Sequence, residues 1–204
     1  MRYVIMADGK MSRWDNTCEV PKHLLPIGSE ILLGRTVRQI RENDPAAEVI
    51  VTSHDPRYGN YGAVRYEPKN NVYEIDRFTE ELIVDDVCFM YGDTYYTDEA
   101  VAQICRIRTD SMYFVGTSRS IVAVIAHDGE LMRRHLDRIR RMHIAGQLKD
   151  CRGWQLYQSF TGQPFTDPSL KILSTEKQFL TLRDGTQGFN RIEEYQQFIE
   201  SRQN

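Results

Sequence analysis

Val87-Cys88-Phe89-Met90-Tyr91 is an unbroken apolar run that closes on Gly92-Asp93. A short apolar run without alternation predicts a strand buried on both faces, and such strands belong to parallel α/β sheets. In open α/β sheets ligands bind at the carboxyl edge of the strands. The run therefore sets a carboxylate at a ligand-binding edge. Gly92 has no side chain, so a bulky group can approach the backbone there. An Asp after a strand also caps turns. Asp93 thus has two readings, as a turn cap or as a ligand for a hard cation carrying phosphates.

The rest of the chain fits such a sheet. Strands are expected at 2–6, 48–53, 64–66 and 87–91, and helices from a Ser29 cap to Asp44-Pro45, over 73–83 and from Thr97. Asp44 precedes a proline, which disfavours helix there. Strands at 112–115 and 121–125 read as a hairpin around Gly116-Thr117-Ser118-Arg119-Ser120. Helices are expected over 129–147, 153–160 and 191–202, with further strands at 170–173 and 179–182. Alternating strands and helices imply a mostly parallel sheet covered by helices on both faces. With no repeat, low-complexity tract or linker, residues 1–204 are expected to form a single domain.

The first strand, Arg2-Tyr3-Val4-Ile5-Met6, runs into Ala7-Asp8-Gly9-Lys10-Met11-Ser12-Arg13-Trp14, and then, past a polar loop, into Pro21-Lys22-His23-Leu24. A glycine-bearing loop after a first strand can turn backbone N–H groups toward phosphate oxygens. Arg13 and Lys22 supply cations that suit a triphosphate. A tight turn with two solvated basic residues is the plainer alternative.

These segments resemble the opening of GT-A-like nucleotidyltransferases, the molybdenum-cofactor and sugar-phosphate type. Their pattern is a strand, Ala-Ala-Gly-x-Gly-Ser/Thr-Arg, then Pro-Lys-x-Leu. Ala7, Gly9, Ser12, Arg13, Pro21, Lys22 and Leu24 match it, whereas Asp8 replaces the second alanine and Met11 the second glycine. Asp8 is thereby expected to bring a carboxylate close to where phosphates would lie. Gly188-Phe189-Asn190-Arg191-Ile192-Glu193 resembles the family's closing segment. The resemblance implies a Rossmann-like GT-A fold and a Mg²⁺ ion held by Asp93 and Asn190. It also implies a nucleotide cradled by residues 7–13, with Lys22 and Arg13 as the catalytic cations. By itself Asn190 also reads as a helix N-cap, with Glu193 completing a capping box.

Composition bounds the rest. Of 204 residues, 41% are hydrophobic, enough for a real core, and the net charge of −3 gives no general attraction to nucleic acid. Cys18, Cys88, Cys105 and Cys151 are widely spaced, as reduced cytoplasmic cysteines are. No apolar run approaches the roughly 20 residues of a membrane span, and no secretory leader pattern is present. The histidines (23, 54, 127, 135 and 143) lack metal-ligand spacing and read as structural or solvated. Arg133, Arg134, Arg138, Arg140 and Arg141 form a basic stripe on the 129–147 helix, most simply a solvated face.

The expected activity is transfer of a nucleoside monophosphate from an NTP to a sugar 1-phosphate or small phospho-alcohol, with release of pyrophosphate. A GT-A glycosyltransferase or a non-catalytic nucleotide-binding protein is the alternative. The expected partners are an NTP and a phosphorylated small-molecule acceptor, with neither nucleic acid nor membrane. Lys22 is expected to be exposed and to add little to stability.

Overall fold

The computed structural model of the protein describes residues 1–9, 14, 20–165 and 178–202. Its strands are β1 (Arg2–Met6), β2 (Pro26–Ile27), β3 (Glu30–Ile31), β4 (Glu48–Thr52), β5 (Val64–Tyr66), β6 (Val87–Tyr91), β7 (Thr94–Tyr95), β8 (Met112–Gly116), β9 (Ile121–Ala126), β10 (Phe179–Thr181) and β11 (Gln187–Gly188). Its helices are α1 (Leu32–Asn43), α2 (Asp98–Arg106), α3 (Gly129–Ile144), α4 (Gln155–Thr161) and α5 (Ile192–Glu200).

Seven strands form the main sheet in the order β10-β8-β9-β6-β1-β4-β5. All run the same way except β9, which is antiparallel to both β6 and β8. The strands alternate faces as a pleat requires. Tyr3, Ile5, Cys88 and Met90 pack on one side with Leu33, Val37 and Ile40 of α1 and Val101 and Ile104 of α2. Val4, Met6, Val87 and Phe89 pack on the other with Met132, Leu136 and Ile139 of α3 and Leu156 and Tyr157 of α4. The unbroken apolar run of β6 follows from this, since both of its faces are covered.

The expected α/β architecture is therefore present, with local differences. The segment 73–83 is not one helix but two 3₁₀ turns, Glu74–Arg77 and Glu80–Leu82. The Asp76 carboxylate accepts from the backbone N–H groups of Val72 (3.0 Å) and Tyr73 (2.8 Å). Such short-range side-chain bonds compete with helix propagation. Helix α1 starts at Leu32 rather than after Ser29, because Gly28, at φ 62°, turns the chain into the β2–β3 hairpin first. Helix α3 stops at Ile144, short of 147, where Gly146 adopts φ 71°, the left-handed conformation that ends many helices. The expected strand at 170–173 lies outside the described residues.

A third apolar cluster joins distant parts of the chain. Trp14, Leu25, Ile27 and Leu32 pack with Tyr95, Phe189 and Phe198, and the Tyr195 hydroxyl donates to the Pro26 carbonyl at 2.7 Å.

Candidate functional site

Strand β1 leads on to β4 on one side, while β6 returns to its other side. The carboxyl ends of β1 and β6 therefore flank a topological switch point, where an open α/β sheet leaves a crevice. Ala7, Asp8 and Gly9 leave β1 there, and Gly92 and Asp93 leave β6. Met6 pairs with Tyr91, and the Gly92 N–H donates to the Met6 carbonyl at 3.0 Å, so the two exits are held side by side.

Lys22 reaches this edge from a 3₁₀ turn, Lys22–Leu24, that follows Pro21. Its ammonium donates to Oδ2 of Asp93. The two side chains are only 12% and 15% exposed. The expectation of an exposed lysine is thus corrected: Lys22 is tucked against the one carboxylate that closes β6. Burial pushes the Asp93 carboxyl up, but the charged Lys22 and Arg77 outweigh this and hold it below the usual carboxylate range. Asp93 is ionised at neutral pH.

His23 sits behind this pair, 2% exposed, with Nδ1 2.8 Å from the Tyr58 hydroxyl. Burial, helped by the Lys22 charge, pushes its pKa down to about 3, so the ring is neutral. A Cβ on residue 92 would lie 2.8 Å from the Met6 carbonyl oxygen and 3.1 Å from the His23 ring. Glycine at 92 is therefore required by close packing at the site itself.

The loop after β1 divides. Ala7 is buried in the core, and its N–H donates to Thr52 Oγ1 at 3.3 Å. Asp8 accepts from the His54 N–H (3.1 Å) and from the Asn71 amide (2.9 Å), and its Oδ1 is 2.9 Å from the His54 ring. Its carboxylate is thus engaged by residues after β4 and β5. Lys10, Met11, Ser12 and Arg13 lie outside the described residues.

Gly9 reveals a cation that sequence reasoning missed. A Cβ there would lie 2.8 Å from Nη2 and 3.0 Å from Cζ of Arg77, so the guanidinium lies against the Gly9 backbone. Within an expected helix at 73–83, Arg77 carried no signal. Only the 3₁₀ turn aims it back at the crevice.

Asn190 is brought to the same edge. Gly188 of β11 pairs with Thr94 of β7, and the Phe189 N–H donates to the Asp93 carbonyl at 2.8 Å. The chain at Asn190 therefore runs beside Gly92–Asp93. The capping reading moves by one residue. The N-cap of α5 is Arg191, and it is Glu194, not Glu193, that accepts from the N–H groups of Asn190 (2.6 Å) and Arg191 (3.2 Å). The Asn190 side chain makes no hydrogen bond among the described residues.

All five histidines have an Nδ1 partner: Tyr58, Asp8, Asp86, Ser159 and the Leu148 carbonyl. Among the described residues no group of three or more His, Cys, Asp or Glu is placed to hold a metal. The basic stripe on α3 is largely tied down. Arg133 donates to the Ile83 carbonyl, Arg140 pairs with Asp76 and Glu80, Arg141 pairs with Asp137, and Arg138 lies over Phe165.

No protein-family profile matches the chain, and no curated protein does. Solved structures do. The CTP:phosphocholine cytidylyltransferase of Streptococcus pneumoniae superposes with a TM-score of 0.63 at 12% identity, covering 98% of this chain and 97% of that one. The chain has the nucleotidyltransferase fold. The 4-diphosphocytidyl-2C-methyl-D-erythritol synthase of Anaerococcus prevotii matches with a TM-score of 0.62 at 10% identity, over 100% and 96% of the two chains. A nucleoside-diphosphate-sugar pyrophosphorylase of Vibrio cholerae gives 0.61 at 12% identity, over 97% and 99%. The nucleotidyltransferase fold extends over nearly the whole sequence, beyond the N-terminal and C-terminal motifs that resembled it. Among the described residues no helix is long and apolar enough to cross a membrane.

Proposed function

We propose that the protein transfers a nucleoside monophosphate from an NTP to a phosphorylated small-molecule acceptor, a sugar 1-phosphate or a phospho-alcohol, releasing pyrophosphate. The observation that carries this reading is the Lys22–Asp93 pair at the switch point between β1 and β6, directly beside the β1 loop. An acceptor phosphate oxygen attacks the α-phosphorus in line as the bond to the pyrophosphate oxygen breaks. No protein nucleophile is needed, and positioning and charge neutralisation supply the catalysis. In this reading Lys22 turns from Asp93 to the α-phosphate, where negative charge develops. The loop from Ala7 to Arg13 takes the β- and γ-phosphates, with Arg13 as its cation.

The donor chemistry at the edge suits Mg²⁺. Asp93 is an ionised, sheltered carboxylate, and Asn190 adds an uncommitted amide oxygen on the neighbouring strand exit. Mg²⁺ in such sites takes one or two protein oxygens, with phosphates and waters completing its shell. Asp93 and Asn190 would hold the ion, which when bound neutralises phosphate charge. The cysteines at 88, 105 and 151 are free and buried, in keeping with action in the reducing cytoplasm.

Incubating the protein with each of the four common NTPs, Mg²⁺ and a panel of phosphorylated acceptors, scored by pyrophosphate release, tests this. Release is expected only when NTP and acceptor are both present. Nucleotide binding without release under any combination would leave a binding protein. Absence of nucleotide binding at millimolar concentration would end the reading.

A further inference from the structure

We infer that Arg77 is a phosphate-binding residue of this site, holding the polyphosphate tail of the NTP over Gly9; the inference rests on the nucleotidyl-transfer reading. Three atoms of the guanidinium plane lie 2.8, 3.0 and 3.1 Å from where a Gly9 Cβ would stand. The plane therefore rests against the backbone of the loop that leaves β1.

The placement is braced. Arg77 ends the 3₁₀ turn Glu74–Arg77. Asp76, one residue before it and 3% exposed, ties that turn to the Val72 and Tyr73 N–H groups and takes an ion pair from Arg140 at 3.1 Å. Among the described residues Arg77 has no carboxylate within ion-pair distance, whereas Arg2, Arg35, Arg38, Arg57, Arg65, Arg140 and Arg152 each have one. A partly buried arginine whose guanidinium makes no hydrogen bond or ion pair among the described residues is suited to an anion. Its planar fork matches two phosphate oxygens at once, which an ammonium cannot do. Lys22 is meanwhile occupied by Asp93. Arg77 thus supplies positive charge to the triphosphate without having to leave a partner.

The test uses inorganic tripolyphosphate and orthophosphate with Mg²⁺, titrated calorimetrically into the wild type, Arg77→Ala and Arg77→Lys, with melting temperatures confirming that both variants fold. Arg77→Ala is expected to lose about tenfold or more in tripolyphosphate affinity, and Arg77→Lys to recover only part, since it keeps the charge but not the fork. Tripolyphosphate affinity of Arg77→Ala within twofold of wild type would overturn the inference, as would a wild type that binds orthophosphate equally well. The pyrophosphate-release assay is read separately. Tripolyphosphate binding that depends on Arg77, with no nucleotidyl transfer, would overturn the reaction while leaving the anion site. Transfer that survives unchanged in Arg77→Ala would do the reverse.

Discussion

The ammonium of Lys22 and the carboxylate of Asp93, 71 residues apart in sequence, are bonded to one another at the floor of the crevice. The pair joins the segment after Pro21 to the end of β6. It also keeps both side chains largely from solvent. Each residue is thus structural before any substrate arrives, and its substitution should be felt in folding as well as in activity.

Lys22→Ala should lower turnover about 10²–10³-fold, the loss typical of one preorganised electrostatic contact. It should also destabilise the protein by about 1–3 kcal/mol, because the Asp93 carboxylate is left sheltered and unpaired. Steady-state kinetics and denaturant melts measure the two losses separately. A variant that folds as well as wild type would show that the pair adds nothing to stability.

Asp93→Ala should abolish Mg²⁺-dependent turnover, whereas Asn190→Ala should raise the Mg²⁺ concentration needed for half-maximal rate. A neutral amide oxygen is the poorer ligand of a hard cation. Because it is Glu194 that closes the N-terminus of α5, accepting from the backbone N–H groups of Asn190 and Arg191, and the Asn190 side chain takes no part, Asn190→Ala should leave the melting temperature unchanged. Glu194→Ala should cost about 1 kcal/mol. Metal titration and thermal melts of the two variants check this crossed pattern.

Gly92→Ala should be poorly tolerated. The added Cβ would meet the Met6 carbonyl oxygen, which is backbone and cannot swing away, and the His23 ring. Relieving the clash means parting β1 from β6 where they border the crevice, at a cost of about 1–3 kcal/mol for an overpacked site. Chemical denaturation measures it, and a change below about 0.5 kcal/mol, ordinary for a surface substitution, would contradict it.

The buried, neutral His23 makes the fold acid-sensitive. Its folded pKa is pushed down to about 3, below the ordinary 6.5. Its contribution to stability is complete above pH 6.5 and falls as pH drops toward 3, because the unfolded chain takes up the proton first. The loss approaches about 1.4 kcal/mol per pH unit below pH 6. Denaturant melts from pH 7 to pH 4.5 should show this slope, and His23→Asn should flatten it.

What could be read from the chain alone follows from how local the signal is. Strand β6 announced itself because an apolar run with no polar alternation has few other homes, and Thr97 marked the start of α2 because a hydroxyl N-cap is a local device. Lys22 and Asp93 could be named but not joined. Their contact depends on the β1–β6 register, which is set by long-range pairing. The 73–83 segment misled for a related reason. Ile75, Phe78, Leu82 and Ile83 have helical spacing, and all are buried, but two 3₁₀ turns bury them equally well once Asp76 has folded back on Val72 and Tyr73. Arg77 was invisible as a site residue because its direction is set by that turn.

The cluster that joins Trp14, Leu25, Ile27 and Leu32 to Phe189 and Phe198 also imposes an order on biosynthesis. A nascent chain emerging from the ribosome cannot complete the cover of the first four of these apolar side chains until α5 has been synthesised. Contacts of such high sequence separation form late and slow folding. The hairpin that carries Ile27 is thus left incompletely covered while translation is still under way.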